Sequence, residues 1–479
     1  MRLDFVTAAS MDGDVLVRMW NSFFAAVVLS SGLLMASSAL AQVPPSSLSS
    51  QVPATEPTTQ SGISLRDRDT LLGDLGGVRA SLEDIGIELK AQETSEVLGN
   101  ITGGVHRGVI YEGATLATLS VDTEKLLGFG GGTFNVSGFQ IHGKGLSANN
   151  LDNLNVASGI EAKPSTRLFE LWYEQSILNG GVSIRIGQQA ADQEFAVSQY
   201  GGLFVNSGFG WATLTAIDLP SGGPAYPFAT PGVRVKVQPT DDLALLVGLY
   251  NGDPDDNGSG TSFRVDKGAL LIGEVEYSVN SSGTDTGLPG TYKVGAWYNS
   301  NSFPDQRFGT DGLSLAEPVS NGVPLLHRGD WGIYALADQM IYRVPGTKDQ
   351  GLGLFGRIMA APSDRNQISF YVNAGANYKG MIRGRPDDTA GIGVIYSRIG
   401  DTARNLDADT VTVSGNPRPI RDAETVLEVT YQAQITPWWT LQPDFQYVFS
   451  PGGGIPDPSR PSKMIGDAAV LGLRATITF

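Results

Sequence analysis

Alternation of apolar and polar side chains with a period of two is the feature that most limits how this sequence can fold. In the last segment, every second residue from 471 to 479 is apolar, and the residues between them are polar or glycine. The segment 425–435 follows the same pattern. Successive side chains of a β-strand point to opposite faces of its sheet. The sequence therefore predicts strands whose two faces meet different solvents.

The number and spacing of such segments indicate how the strands are connected. From residue 87 onward, sixteen segments have about the 10 residues that a tilted membrane-spanning strand needs. The candidate strands are 87–98, 113–122, 133–142, 166–177, 182–189, 232–238, 243–250, 268–279, 291–299, 331–342, 352–361, 368–378, 390–398, 425–435, 439–449 and 469–479. Links after even-numbered strands are mostly short, as at 178–181, and links after odd-numbered strands are mostly long, as at 190–231. A soluble sandwich has no reason to sort its loops in this way.

A closed barrel that spans a membrane explains both the sorted loops and the low charge. Only 17% of the 479 residues are charged, against about 25% in an ordinary soluble domain. Half of the side chains of a membrane strand face hydrocarbon, so charge is confined to the lumen and the loops. We predict an all-β fold, a 16-stranded antiparallel transmembrane β-barrel with short periplasmic turns and long extracellular loops.

Several classes of function do not fit this composition. The chain has no Cys, and its net charge of -16 disfavours binding of nucleic acid. Its three histidines, His106, His142 and His327, lie far apart in sequence, and neither His-x-x-x-His nor Gly-x-Ser-x-Gly is present near them. We therefore expect neither an enzyme nor a cofactor site. Whether an acidic loop such as 253–258 binds a divalent cation stays open.

The region before the first strand has a composition of its own. The apolar stretch 23–35 is too short to cross about 30 Å of hydrocarbon, and Ala39-Leu40-Ala41 has the small-x-small pattern of signal peptidase cleavage. Residues rich in Pro, Ser and Thr follow. We predict a signal peptide at 1–41, a periplasmic linker at 42–70, a short helix at 71–86 and the barrel at 87–479.

Four segments resemble a known family. They are LLGDLGGVRASLEDIGIEL (71–89), RLFELWYEQSI (167–177), IRIGQQAADQEFAVSQYGGLFVNSGFG (184–210) and the ending at 424–479. These segments resemble the carbohydrate-selective, OprB-like porins of the Gram-negative outer membrane. The resemblance implies passive diffusion of glucose and similar small sugars into the periplasm, through a barrel surrounded by outer-membrane lipid and lipopolysaccharide. A general or ion-selective diffusion porin is the alternative, and whether copies of the chain associate stays open.

Two further expectations concern the chain end and the pore. The terminal Phe479 matches the aromatic signal that such barrels present to their insertion machinery. The long loop 190–231 is expected to fold into the lumen and to constrict it, because a 16-stranded barrel is otherwise water-filled. The candidate residues for constriction and substrate binding are Arg185, Asp192, Glu194, Asn206, Trp211, Glu170, Trp172, Arg234 and Lys236.

The roles of these candidates follow from their chemistry. Phasing of the strands by their apolar faces turns Arg185, Arg234 and Lys236 inward, and the loop supplies opposite charge from Asp192 and Glu194. A neutral polyol tolerates the resulting field, because its hydroxyls donate and accept hydrogen bonds equally, and the planar fork of Arg suits vicinal hydroxyls. The alternative is that these charges only brace the loop against the wall.

Overall fold

The computed structural model describes residues 64–254, 258–281 and 287–479. The predicted signal peptide 1–41 and most of the predicted linker 42–70 lie outside the described residues. Sixteen antiparallel strands close into one barrel, in which each strand pairs with its sequence neighbours and the last strand pairs with the first. The predicted fold class is confirmed.

The barrel strands differ in length. They are β1 Ile87–Gly104, β2 Gly108–Asp122, β3 Gly132–Gly143, β4 Ser165–Ile177, β5 Val182–Gln189, β6 Thr230–Thr240, β7 Leu243–Asn251, β8 Ala269–Val279, β9 Gly290–Gly309, β10 Pro324–Arg343, β11 Gly351–Ala360, β12 Ile368–Lys379, β13 Thr389–Ile399, β14 Ala423–Thr436, β15 Trp439–Phe449 and β18 Gly466–Thr478. A small hairpin, β16 Pro456–Asp457 with β17 Arg460–Met464, lies in the last long loop.

The helices lie before β1 and in the links between strands, and most have only one or two turns. They are α1 Val78–Asp84, α2 Thr123–Leu127, α3 Thr213–Asp218, α4 Asp401–Ser414 and the single turn α5 Pro451–Gly454. Further one-turn helices are Leu75–Gly77, Ser147–Leu151, Ala191–Gln193, Gly201–Leu203, Ser207–Phe209 and Pro220–Gly222. Among the described residues, no helix has the length and apolarity needed to cross a membrane.

Two pairs of strands extend further than the alternation predicts. β1 and β2 continue to Gly104 and from Gly108, where the sequence pattern predicts a loop at 99–112. β9 and β10 have 20 residues each, about twice what a tilted strand needs to cross a membrane. An apolar outer face is needed only where a strand contacts lipid, whereas backbone pairing between strands can continue outside the membrane. These hairpins therefore extend beyond the segment that shows the apolar pattern. Alternation alone therefore underestimates their length.

The first described segment is fastened to the end of the chain at the rim that carries the short turns. Arg79 on α1 donates from Nη2 to the carbonyl of Phe479 at 2.8 Å, and the amide of Leu71 donates to the carbonyl of Thr478 at 2.8 Å. The amide of Phe479 in turn donates to the carbonyl of Ala91 on β1 at 2.9 Å. Barrel closure and the N-terminal segment therefore depend on the same few residues.

Two long loops fold into the lumen and form an apolar core there. They are 144–164, between β3 and β4, and 190–229, between β5 and β6. Their buried apolar side chains pack against inward side chains of the wall, including Leu246, Ile272 and Phe355. Phe204 and Phe209 of the second loop stack with their ring centroids 4.3 Å apart. The second loop thus takes the inward path that the sequence predicts.

Candidate functional site

Inward polar side chains of the wall hold the backbone of the loop 190–229. Asp338 on β10 accepts hydrogen bonds from the Ser198 hydroxyl at 2.6 Å and the Gln199 amide at 2.9 Å. Glu428 on β14 accepts from the amides of Val205 at 2.6 Å and Asn206 at 3.0 Å. These carboxylates give buried backbone N–H groups the partners they need. They determine the path of the loop and hence where its acidic start lies.

Arg357 on β11 holds the same loop through its carbonyl groups. Its guanidinium donates to the carbonyls of Ala196 at 3.0 Å, Gly208 at 2.7 Å and Gly210 at 2.7 Å. The phenol of Tyr371 on β12 also donates to the carbonyl of Gly208, at 2.6 Å. Arg357 points into the lumen, and its donors are used to hold the loop.

Two arginines lie side by side on the wall close to the start of the loop. Arg185 on β5 is the direct cross-strand partner of Arg234 on β6. Adjacent like charges on one sheet face repel each other, so this pair needs compensation. Glu174, which faces Arg185 from β4, and Glu194, which comes from the loop, provide it.

Each of the two carboxylates bridges both guanidinium groups. Glu174 Oε2 lies 2.7 Å from Arg185 Nε and 2.8 Å from Arg234 Nη2. Glu194 Oε1 lies 2.8 Å from Arg185 Nη1, and Glu194 Oε2 lies 3.1 Å from Arg234 Nε. We call these four residues the Arg–Glu cluster. Its formal charge is zero, and it offers many donors and acceptors in a small space.

An aromatic face completes the cluster on one side. The Arg185 guanidinium carbon lies 3.9 Å from the ring centroid of Trp172 on β4, which is a cation–π contact. The indole Nε1 donates to Glu170 Oε2 at 3.2 Å, and Glu170 Oε1 accepts from the amide of Ala190 at 3.0 Å. Glu170 therefore ties the orientation of Trp172 to the first residue of the inward loop.

The other predicted site residues lie in different surroundings. Lys236 is on the same face of β6 as Arg234, one pair of residues nearer the rim of short turns. Asp192 accepts from the amide of Tyr226 at 2.9 Å, and in the described chain the two arginines pair with Glu174 and Glu194 instead. Trp211 donates to the carbonyl of Gly222 at 2.9 Å, inside the loop.

Asn206 is part of the loop core. It is 1% exposed, and its Nδ2 donates to the carbonyl of Asn155 at 3.1 Å and to Gln446 Oε1 at 3.0 Å. Its Oδ1 accepts from the amide of Gly208 at 3.0 Å. The amide side chain therefore joins the two inward loops to the wall, and its hydrogen bonds are used there.

Glu174 is not among the predicted site residues, although the alternation of β4 places it on the lumen face. Ser183, whose hydroxyl accepts from Arg234 Nη1 at 2.5 Å, is not among them either. Glu174 lies two residues after Trp172 on the same strand face, which was the available signal. Within the described ranges, no group of three His, Asp or Glu side chains is placed to hold a metal ion.

Comparison with known proteins gives a consistent result. The family model for carbohydrate-selective porins of the OprB family matches residues 106–479. Porin B of Pseudomonas aeruginosa is 26% identical over 410 residues, which cover 80% of this chain and 87% of that protein. The putative porin QuiX of Acinetobacter baylyi is 24% identical over 440 residues, which cover 86% of this chain and 94% of that protein.

A solved structure has the same fold. The high-pH structure of Pseudomonas putida OprB matches with a TM-score of 0.78 at 24% identity, covering 87% of this chain and 100% of that one. The solved structure shares the barrel fold, and the family model shows the family. On the extent of the family match, the chain belongs to the OprB family of carbohydrate-selective porins, and it is a sugar channel of the outer membrane rather than an enzyme.

Proposed function

We propose that the channel selects small monosaccharides of the glucose type, and that the Arg–Glu cluster with Trp172 is where it does so. The observation that carries this proposal is the double bridging of Arg185 and Arg234 by Glu174 and Glu194. A sugar hydroxyl both donates and accepts hydrogen bonds, so it can bind to the guanidinium and carboxylate edges together. Small ions lack this match and meet a site of zero formal charge.

The remaining exposure of the cluster supports the same proposal. The side chains of Arg185, Glu194 and Glu174 are 10%, 11% and 19% exposed, so each keeps a small accessible edge. A sugar that leaves bulk water at this point needs replacement hydrogen bonds, as a permeating ion needs replacement ligands. The flat face of Trp172 suits the C–H face of a pyranose ring. Lys236 supplies a further cation on the same wall.

Solute uptake by proteoliposomes tests the sugar preference. Glucose should enter faster than a neutral non-sugar solute of equal size and faster than a disaccharide. Replacing Arg234 by Gln should slow glucose uptake, because it removes one guanidinium that bridges both carboxylates. As a matched control, Arg398→Gln also removes one Arg charge, from an exposed pair with Asp401 at the end of β13, and should leave uptake unchanged.

The alternative function, a general diffusion porin without a sugar preference, predicts a different result. Uptake of equal-sized solutes would then be equal, and Arg234→Gln would change all solutes alike. Ion current in planar bilayers gives a second measurement. Glucose should partly block the current of the parent protein and block that of Arg234→Gln less. Absence of block in the parent would contradict the proposed site.

We further propose that residues 1–41 are removed during export, before the barrel inserts through recognition of Phe479. The small-x-small sequence at 39–41 supports cleavage after Ala41. N-terminal sequencing of the protein from outer membranes should therefore begin at Gln42. Retention of residues before Gln42 would contradict the proposed cleavage site.

A further inference from the structure

Phe195 follows Glu194 in the inward loop, and its side chain is buried against the barrel wall. Phe195 is 1% exposed, and its ring meets that of Tyr250 on β7 edge to face, with the two centroids 6.3 Å apart. Tyr250 is itself 2% exposed. Aromatic pairs in this arrangement attract each other beyond the effect of the apolar area that they bury. The residue after Glu194 is therefore held by an aromatic side chain of the wall.

Two glycines leave room for the Tyr250 ring. Gly248 lies two residues before Tyr250 on the same face of β7, and Gly232 on β6 is the cross-strand partner of Tyr250. A Cβ at Gly248 would lie 2.5 Å from the Tyr250 ring and 3.0 Å from the Phe195 ring. A Cβ at Gly232 would lie 2.7 Å from the Tyr250 ring. We call Tyr250 with these two glycines the Phe195 seat, and it adjoins the Arg–Glu cluster, because Gly248 is the cross-strand partner of Arg234.

The backbone leaves the Phe195 seat through a turn that the wall holds at two points. Ala196 has a φ of 56°, in the left-handed region that residues with a Cβ rarely adopt. Its amide donates to Glu274 Oε2 on β8 at 2.7 Å, and its carbonyl accepts from Arg357 at 3.0 Å. Such a conformation is unfavourable and persists only where its surroundings hold it. The packing of Phe195 is part of these surroundings, because it fixes the residue directly before the turn.

Glu194, on the other side of Phe195, needs an accurately placed backbone. Its two carboxylate oxygens bind different arginines, Oε1 with Arg185 at 2.8 Å and Oε2 with Arg234 at 3.1 Å. A carboxylate that bridges two guanidinium groups fixed on neighbouring strands can do so from one position only. Binding groups in general lose much of their effect when they are displaced by roughly 0.5–1 Å. Whatever fixes Phe195 therefore also fixes the geometry of the Arg–Glu cluster.

We propose that Tyr250 is a positioning residue for sugar recognition, which acts through Phe195 to hold Glu194 between the two arginines. This inference rests on the proposed function of the Arg–Glu cluster. Tyr250 is buried, so a permeating sugar does not touch it. Among the described residues its hydroxyl has no hydrogen-bond partner, so the ring and not the hydroxyl carries this role.

Block of the ion current by glucose in planar bilayers tests this role. Glu194→Gln and Tyr250→Leu should each raise the glucose concentration that gives half block by about tenfold, the scale of one lost hydrogen bond to a charged group. The double variant should be no worse than Glu194→Gln alone, because two changes that act through one contact are not additive. Tyr250→Phe keeps the ring and should be blocked as the parent is.

A second variant reaches the Phe195 seat from the wall and keeps the test decisive if Tyr250→Leu does not fold. Gly248→Ala places a methyl group where the two aromatic rings lie, and it should raise the half-blocking glucose concentration as Tyr250→Leu does. Gly273→Ala on β8 is the matched control, since a Cβ there would come no closer than 3.8 Å to another part of the wall. It should leave the block by glucose unchanged.

A further control separates positioning of Glu194 from general packing of the loop. Phe355→Leu also removes an aromatic ring of the wall, but this ring packs against Phe204 and Phe209, in a later part of the same loop. Changes at sites without a shared contact are additive in free energy. The factor by which Phe355→Leu alters the half-blocking concentration should therefore multiply with that of Glu194→Gln, whereas the factor for Tyr250→Leu should not.

The outcomes distinguish failure of this role from failure of the proposed function. If glucose blocks Glu194→Gln as it blocks the parent, the Arg–Glu cluster is not the sugar site and both proposals are overturned. If Glu194→Gln weakens the block but Tyr250→Leu and Gly248→Ala do not, only the positioning role is overturned. The same holds if Tyr250→Leu adds its full factor to that of Glu194→Gln. A loss in Tyr250→Phe equal to that in Tyr250→Leu would assign the effect to the hydroxyl and would also overturn the role of the ring.

Discussion

Arg185 and Arg234 share both of their carboxylate partners, Glu174 and Glu194. The loss of one of these four side chains therefore changes the net charge of the remaining three. Arg234 is 3% exposed at its side chain, and Glu194 is 11% exposed. At low exposure the effective dielectric constant is well below that of water, so one unit of charge has a larger effect than on an open surface. The cluster is therefore sensitive to single substitutions.

Replacing Arg185 by Ala should raise the selectivity of the channel for cations over anions. The change leaves Glu174 and Glu194 with Arg234 as their nearby base, a net charge of -1 where the parent has zero. Glu194→Gln leaves the opposite imbalance and should shift the selectivity toward anions. Reversal potentials in a salt gradient measure both. Both variants should still fold, because lumen positions tolerate substitution.

Glu194 contacts both arginines, whereas Asp192 contacts neither of them. Asp192→Asn serves as the matched control, since Asp192 bonds to the amide of Tyr226 rather than to an arginine. It removes a carboxylate two residues away in the same loop. A reversal potential of Glu194→Gln equal to that of the parent would show that the cluster does not govern ion passage.

At the scale of elements, the inward loop 190–229 depends on the side chains of the wall. Asp338→Ala should loosen it, because three donors, the Ser198 hydroxyl and the amides of Gln199 and Tyr200, lose their acceptor. Hydrogen bonds to a charged group contribute roughly 1.5–3 kcal/mol each. We expect higher single-channel conductance and weaker discrimination between glucose and a disaccharide.

Asp388→Asn is the control for this prediction. Asp388 is also a buried carboxylate, 2% exposed, but it bonds to Arg385 and Tyr431 at a short turn. Its replacement should leave conductance and discrimination as in the parent. If Asp338→Ala also behaves as the parent does, the apolar packing of the loop is sufficient to keep it in place.

Above the long-loop rim, helix α4 is fastened to the extended strand β9. Asp409 on α4 accepts two hydrogen bonds from the Arg307 guanidinium, at 2.7 and 2.9 Å, and one from Ser314 at 2.6 Å. These bonds lower the pKa of Asp409 below its ordinary value of 3.8. A carboxyl with a lowered pKa stabilises the folded state above 3.8, and this contribution is lost as the pH falls through the lower folded value.

The protection of the α4 amides against hydrogen exchange should therefore be constant from neutral pH down to about 3.8, and it should decrease at lower pH. Amide hydrogen exchange, corrected for its intrinsic pH dependence, measures this. Arg307→Gln should reduce the protection at neutral pH by roughly 0.2–1 kcal/mol, the usual contribution of such a pair. It should also remove the pH dependence of the protection. Arg460→Gln, which breaks an exposed pair with Asp457 in another loop, should change neither. Identical exchange of α4 in both variants would contradict the prediction.

At the scale of the whole molecule, the barrel combines two kinds of interior. The loops 144–164 and 190–229 pack apolar side chains against β7 to β15, β18 and β1, and in a smaller cluster against β2 to β4. The strands β4, β5 and β6 carry the Arg–Glu cluster. The exterior is uneven as well, because polar side chains such as Glu93, Thr115 and His142 contact one another on the outer face of β1 to β3, while β7 to β9 present exposed Leu, Val and Tyr side chains. Because successive side chains of a strand point to opposite faces, each strand can carry one kind of surface inside the barrel and another kind outside.

The sequence alone determined the class of fold and the side on which each strand residue lies. Both follow from alternation, which is a local property of the extended chain, so Arg185, Arg234, Trp172 and Glu170 could be turned inward without any knowledge of contacts. The alternation of short and long links between the strands indicated that the strands close into a barrel. Apolar alternation ended early for β1 and β9, because paired strands outside hydrocarbon need no apolar face.

Only the tertiary structure decided which side chains meet. Asp192 and Glu194 lie two residues apart in a loop without periodicity, and the anchoring of that loop by Asp338 and Glu428 brings Glu194 to the arginines and leaves Asp192 against Tyr226. Asn206 likewise lies in the loop core. Such contacts join residues far apart in sequence through the path of an irregular backbone, and no local pattern encodes that path.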